Sequence, residues 1–162
     1  MASAQTRNHP FLIRRYHNCF QAAKPAEGFL QFLPQLQVMF TDATDVDCIT
    51  PGAYQSSNAG QMDMLLVRFE DNDALSYCTY YGGSNNEGME THCLAVDDAG
   101  NAYISGGTGS TDLPTTAGAA QTALLHTNGG DGFVAKFSRT GSLIAATYVG
   151  MPSAVDDIIG MN

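Results

Sequence analysis

"DMLLVRFEDNDALSYCTYYGG", Asp63 to Gly83, reads as a β-hairpin: two apolar-rich alternating runs around the polar break "EDND". The chain writes the phrase again as "DGFVAKFSRTGSLIAATYVGM", Asp131 to Met151, 68 positions on. Aligned without a gap, the copies share Asp63/Asp131, Phe69/Phe137, Leu75/Leu143, Thr79/Thr147, Tyr80/Tyr148 and Gly82/Gly150, while Arg68/Lys136 keeps the charge. These are six identities in 21 positions, where average composition gives about one. The preceding segment repeats too, "TDVDCITPGAYQ" (Thr44 to Gln55) answering "TDLPTTAGAAQ" (Thr111 to Gln121) with one residue of slippage. An internal repeat of this length governs any reading of the fold.

Around the hairpin, short strand signals follow one another. They are "LLVRF" (Leu65 to Phe69), "LSYCTYY" (Leu75 to Tyr81), "HCLAVD" (His92 to Asp97) and "AYISG" (Ala102 to Gly106). The breaks "EDND", "DAGN" and "SRTG" suit tight reversals, with Gly141 able to take positive φ. This spacing predicts a four-stranded antiparallel meander over 63–106, then a connector, 107–130, rich in Gly, Thr and Ser. A thin meander buries its faces only by stacking on another, so the pattern predicts an all-β fold of the partial β-propeller type. A parallel β-helix would have shorter repeats, and a β-sandwich would not need near-identical halves.

The phrases "DGFVAKFSRTGSLIAATYVG" and "LAVDDAGNAYISGGTGSTDLPTTAGAAQ", with Gly-Gly after Thr-Tyr-Tyr, carry a resemblance. They are similar to the SBBP family of β-propeller repeats, whose units run Asp-x-Phe-Val-x-Lys, Gly-Ser-Leu, Thr-Tyr-x-Gly-Gly, Ala-Val-Asp-x-x-Gly-Asn and Thr-Asp-(Phe/Leu)-Pro-Thr-Thr. The likeness spans about residues 38 to 162. It implies the last strand of one blade at 38–42, a connector at 43–62, a full blade at 63–106, a connector at 107–130 and a partial blade at 131–162. The first unit departs from the pattern with Asp47-Cys48 where the later copy has Pro114-Thr115, and the last stops at "AVDDIIGMN" (Ala154 to Asn162). Residues 1–37 match no repeat and are expected to be a disordered or partly helical extension. Four to eight blades at this period need on the order of 270 to 540 residues, so about two blades predict a piece of a ring. Such a piece exposes apolar faces and strand edges and is expected to self-associate. The resemblance also implies an extracellular or cell-surface setting, although "MASAQTRNHPFLIRRYHNCFQAAK" shows no apolar core of signal-peptide length. That segment, without an acid, reads as an organelle presequence or as a plain extension.

Composition narrows function. The 162 residues are 44% hydrophobic and 14% charged, globular proportions for one domain, and no apolar run reaches membrane-spanning length. Residues 41–162 carry 15 acids against Arg68, Lys136 and Arg139. So acidic a surface repels phosphate backbones, which argues against nucleic-acid binding. Cys19, Cys48, Cys78 and Cys93 lack C-x-x-C spacing, and His9, His17, His92 and His126 are scattered, so no zinc site is expected. Cys78 and Cys93, placed on neighbouring strands, could form a disulfide or remain buried thiols.

No catalytic, cofactor or metal residue emerges. Asp71-Asn72-Asp73 starts like a calcium loop but lacks its Gly and distal Glu. Asp97-Asp98 and Asp156-Asp157 are adjacent on extended chain and point to opposite faces, unsuited to paired acid/base work. "GGTGSTD" (Gly106 to Asp112) precedes a Pro-containing coil rather than a phosphate-binding helix. His92 and His126 read as loop or surface histidines. Asp63 and Asp131 suit carboxylates that accept backbone N–H bonds from the incoming connector, and Tyr80 and Tyr148 suit packing between blades. The expectation is a non-enzymatic interaction or scaffold module with an unknown protein or ligand partner. The alternatives are part of a propeller enzyme whose axial site needs further blades, and a structural spacer.

Overall fold

The computed structural model describes residues 17–19, 36–126 and 128–150, with the backbone alone for 17–19 and 89–93. Its strands are β1 His17–Cys19, β2 Leu36–Thr41, β3 Asp63–Phe69, β4 Leu75–Tyr81, β5 Glu87–Val96, β6 Ala102–Thr108, β7 Asp131–Phe137 and β8 Leu143–Val149. They form two four-stranded antiparallel sheets, β1-β2-β3-β4 and β5-β6-β7-β8. The described residues contain no helix and no sheet closed on itself.

The expected runs at 65–69, 75–81 and 102–106 lie within β3, β4 and β6, while β5 starts at Glu87, five residues before the expected His92; the grouping also differs from the meander expected over 63–106. The break between sheets lies at 82–86, so β3 and β4 are the last two strands of the first sheet, while β5 and β6 open the second. The hairpin phrase therefore closes each sheet instead of starting it. The physical reason is that the polar groups of 84–86 are claimed elsewhere. Asp112 accepts from the Ser84 N–H and hydroxyl at 2.8 and 2.9 Å, and Ser110 Oγ accepts from the Asn85 N–H at 2.9 Å. Asn86 forms a parallel bridge with Met62. These bonds carry the chain away from β4 to the far edge of the next sheet. Conversely, the long connectors 42–62 and 109–130 return each chain beside the strand it left, pairing β2 with β3 and β6 with β7.

Residues 17–19 of the stretch expected to be disordered or partly helical form β1, which takes the edge position in the first sheet that β5 takes in the second. The "AVDDIIGMN" tail, with Asp156-Asp157, lies outside the described residues.

Both copies turn their hairpins in the same way. Glu70 N–H donates to Ala74 O and Asp73 N–H to Glu70 O; Ser138 N–H donates to Ser142 O and Gly141 N–H to Ser138 O. The third turn residue must adopt positive φ, 64° at Asp73 and 84° at Gly141, a conformation that Gly takes freely and Asp tolerates. The acids of "EDND" are thus turn residues.

The sheets pack face to face. Phe40, Met64, Leu66, Tyr77 and Tyr81 of the first sheet share one core with Ile104, Phe133, Ala135, Phe137 and Tyr148 of the second. The ring of Tyr81 lies 5.6 Å from Phe133 and 5.5 Å from Phe137, edge-on to the latter. Full burial of such a side chain contributes about 1.5–3 kcal/mol. Gly88, at φ 81°, leaves room for the Phe40 ring, which any Cβ there would strike.

The opposite face of the first sheet, with Leu65, Val67, Phe69, Cys78 and Tyr80, packs on Val46, Cys48 and Ile49 of connector 42–62. Hence β3 is buried at every position, whereas β7 leaves Val134 and Lys136 half-buried. Cys78 is bonded to Cys48, with Cα atoms 5.7 Å apart, and not to Cys93. The Cys78–Cys93 bond that neighbouring strands would have allowed does not form, because β4 and β5 belong to different sheets.

Candidate functional site

Each connector is fastened to its sheet by the same polar corner. In the first copy, Gln55 Nε2 donates to Ser57 O at 3.0 Å and to Asp63 Oδ2 at 2.6 Å, while its Oε1 accepts the Gly82 N–H at 3.1 Å. In the second, Gln121 Nε2 donates to Ala123 O at 2.8 Å and to Asp131 Oδ2 at 2.7 Å, and its Oε1 accepts the Gly150 N–H at 2.9 Å. Backbone donors complete the corner: Ala59 N–H to Asp63 Oδ2 at 2.9 Å, and Leu125 N–H to Asp131 Oδ2 at 2.7 Å. One glutamine thus ties the strand-leading aspartate to the glycine that ends the fourth strand.

The remaining repeat positions serve the same attachment. Thr79 Oγ1 and Thr147 Oγ1 accept the N–H of Gln55 and of Gln121, each at 3.0 Å. The Tyr80 hydroxyl donates to Ala43 O at 2.9 Å and that of Tyr148 to Ser110 O at 2.7 Å. Tyr148 lies between the sheets, whereas Tyr80 packs against its own connector. Phe69 and Phe137 are buried; Leu75 is 39% exposed, and Leu143 lies half-buried at the edge of the shared core.

The corners then part company. Beside Asp131 stands His126, its Nδ1 2.7 Å from Oδ1, with the His126 N–H donating to the same oxygen at 3.2 Å. Burial pushes the Asp131 carboxyl up, but the bonds from Leu125, His126 and Gln121 outweigh it and hold the group below its ordinary value. Beside Asp63 stands Glu87, the first residue of β5, and both are fully buried. Thr108 and Ser110 hydroxyls donate to Glu87 Oε1 at 2.8 and 2.5 Å, and the Gly83 N–H donates to Oε2 at 2.9 Å. Burial raises both carboxyls, Glu87 to about 7. The segment "GGTGSTD" therefore has a structural use: Thr108 and Ser110 hold Glu87, and Asp112 holds Ser84.

A second polar group lies on the outer face of the second sheet. Asp97 accepts the Asn101 N–H and Nδ2, each at 2.8 Å, and the Tyr103 hydroxyl at 3.2 Å; Lys136 Nζ lies 3.4 Å away and 4.7 Å from the Tyr103 ring centre. The Asn101 bonds bring Asp97 down to about 2. Its neighbour Asp98 is exposed in the turn. In the first sheet the matching cation, Arg68, is buried and donates from Nη1 to Gly100 O of the second sheet at 2.8 Å.

Sequence reasoning singled out the two aspartates and the two glycines but passed over Gln55, Gln121 and Glu87. The glutamines stand at equal places in the repeated "TPGAYQ" and "TTAGAAQ", which could have marked them. Glu87 carries no such signal, since the position 68 residues on is Val155. His92 and Cys93 have only their backbone described. Among the described residues, no group of three or more His, Cys, Asp or Glu side chains could hold a metal ion, and no helix is long and apolar enough to cross a membrane.

No family model, curated protein or solved structure matches the chain. Fold and site define it as an all-β protein of two stacked antiparallel sheets whose repeated polar residues fasten connectors to strands.

Proposed function

We propose that the chain is a non-enzymatic interaction or scaffold module built from SBBP-type β-propeller repeats. One observation carries the reading: the second sheet leaves open the face that, in the first, receives a neighbouring sheet. Leu66, Tyr77 and Tyr81 of the first sheet are at most 4% exposed under the second sheet. Their counterparts Val134, Ala145 and Val149 are half-buried to exposed, Val149 at 43%. A face patterned like a covered one offers apolar area to a further sheet of the same kind, within a longer chain or on a second copy. The polar residues common to both copies hold connectors, which fits a scaffold.

Sedimentation of the purified chain over a hundredfold concentration range tests the proposal. The average mass is expected to rise with concentration, and Val149→Asp, at an exposed site, is expected to restore the monomer. A wild-type chain that stays monomeric throughout overturns the self-association reading.

A further inference from the structure

The Asp63–Glu87 corner is one hydrogen-bond donor short. Glu87 has both oxygens occupied, by Thr108, Ser110 and Gly83, and Asp63 Oδ2 is occupied by Gln55 and Ala59. Asp63 Oδ1 is buried and has no donor. It lies with Glu87 Oε2 against Gly82, where a Cβ would strike both oxygens. Two ionised carboxylates here would leave an unpaired acceptor beside a second negative charge, in a place closed to water. Among the described residues, the other titratable groups facing the pair, Asp112 of connector 109–130, Tyr81 of β4 and Tyr148 of β8, bring no positive charge. One proton on Asp63 Oδ1 cures both faults, because the new O–H donates to Glu87 Oε2 and every carboxyl oxygen is then satisfied. A calcium ion would call for six to eight oxygen ligands, and a single free oxygen does not supply them.

The location gives that proton a consequence. Asp63 begins β3 of the first sheet, Glu87 begins β5 of the second, and the Glu87 N–H donates to Met62 O at 2.7 Å. The pair sits at the joint where one sheet hands the chain to the next. We propose that Asp63 and Glu87 share one proton and act as a pH-operated latch between the sheets, fastened while the proton is held and loosened when it leaves.

The sign follows from burial, which raises both groups, Glu87 from 4.5 to about 7. A folded state that binds the proton more tightly than the unfolded chain gains stability in full below the unfolded value. That gain is lost as pH rises through about 7. Asp63→Asn mimics the fastened state, since its amide can donate permanently to Glu87 Oε2 while its carbonyl accepts from Gln55 and Ala59.

Urea unfolding of the full chain at several pH values, wild type beside Asp63→Asn, reads the latch. The wild-type unfolding constant is expected to rise by up to about tenfold per pH unit between roughly pH 5 and 7 relative to the variant. Histidine titration, common to both proteins, cancels in that ratio. Parallel curves for the two proteins overturn the proposal. If the variant fails to fold, carboxyl carbon NMR of the wild type decides: a titration midpoint well above the ordinary carboxyl range is expected, and ordinary midpoints for both Asp63 and Glu87 refute the latch.

Discussion

Asp63 and Asp131 occupy the same place in the two copies, each at the head of the third strand and each gripped by a glutamine and a backbone N–H. One faces a second carboxyl and is raised; the other faces an imidazole and is lowered. The framework bonds are common to both; burial raises Asp63, whereas at Asp131 the bonds from Leu125, His126 and Gln121 outweigh burial. A repeat can therefore keep its framework bonds while the depth of burial at one copy and an added imidazole contact at the other shift the same carboxyl in opposite directions. Arg68 and Lys136 give the same lesson in cations. Arg68 is 3% exposed and bolts the first sheet to a turn of the second, whereas Lys136 lies on an open face and serves only its own sheet.

The largest expected difference between the copies is covalent. The Cys48–Cys78 bond closes a 30-residue separation in the first copy, where the second has Thr115 and Ala146. In the chain-entropy account, a loop of that size stabilises by about 3–4 kcal/mol. Urea unfolding with and without reductant is expected to show a loss of this order, reproduced by Cys48→Ser with Cys78→Ala. An unchanged midpoint would mean that the connector holds its place by packing alone.

Next in size is the contrast between the aspartates. Asp131→Ala strands the Leu125 N–H and His126 and is expected to cost about 2–3 kcal/mol at pH 8. Asp63→Ala is expected to cost less at that pH, because it also removes the like charge beside Glu87, and the gap should narrow at pH 5. Equal losses at both pH values would show that Glu87 does not distinguish the corners. The lowered Asp131 carries the opposite linkage: its contribution is present above the ordinary carboxyl value and is lost as pH falls through the folded one.

The smallest contrast concerns the cations. Arg68→Ala removes a bond to Gly100 O and the packing of a buried stem, with an expected loss of about 1–3 kcal/mol. Lys136→Ala, on the solvent side, is expected to leave the urea midpoint unmoved. A comparable loss at Lys136 would show that the outer face of the second sheet is covered in solution.

Individual strands were legible because alternation depends on neighbours one and two residues away. "LSYCTYY" gives β4 its exact ends. Sheet membership was not legible, since "GGSNN" has the composition of a hairpin turn, and partners from other parts of the chain, among them Asp112, Ser110 and Met62, direct it elsewhere. The aspartates and glycines of the corner could be read from their repetition. Glu87 could not, because its role depends on Thr108 and Ser110 arriving from another strand and connector. The Cys48–Cys78 bond was hidden for a related reason: spacing along the chain does not say which connector lies over which strand.

The offset between repeat and sheet reaches beyond this molecule. Duplicating residues 63–130 would copy the closing half of one sheet and the opening half of the next, leaving the outermost halves to their existing partners. Growth by such insertion adds a whole sheet without exposing a new edge inside the stack. A protease cut at 82–86 would leave both sheets with their strands intact, whereas one at 107–130 would divide the second sheet between two fragments. What is inherited as a unit and what folds as a unit are therefore out of phase by half a sheet, and each inherited copy is held in place by its neighbours on either side.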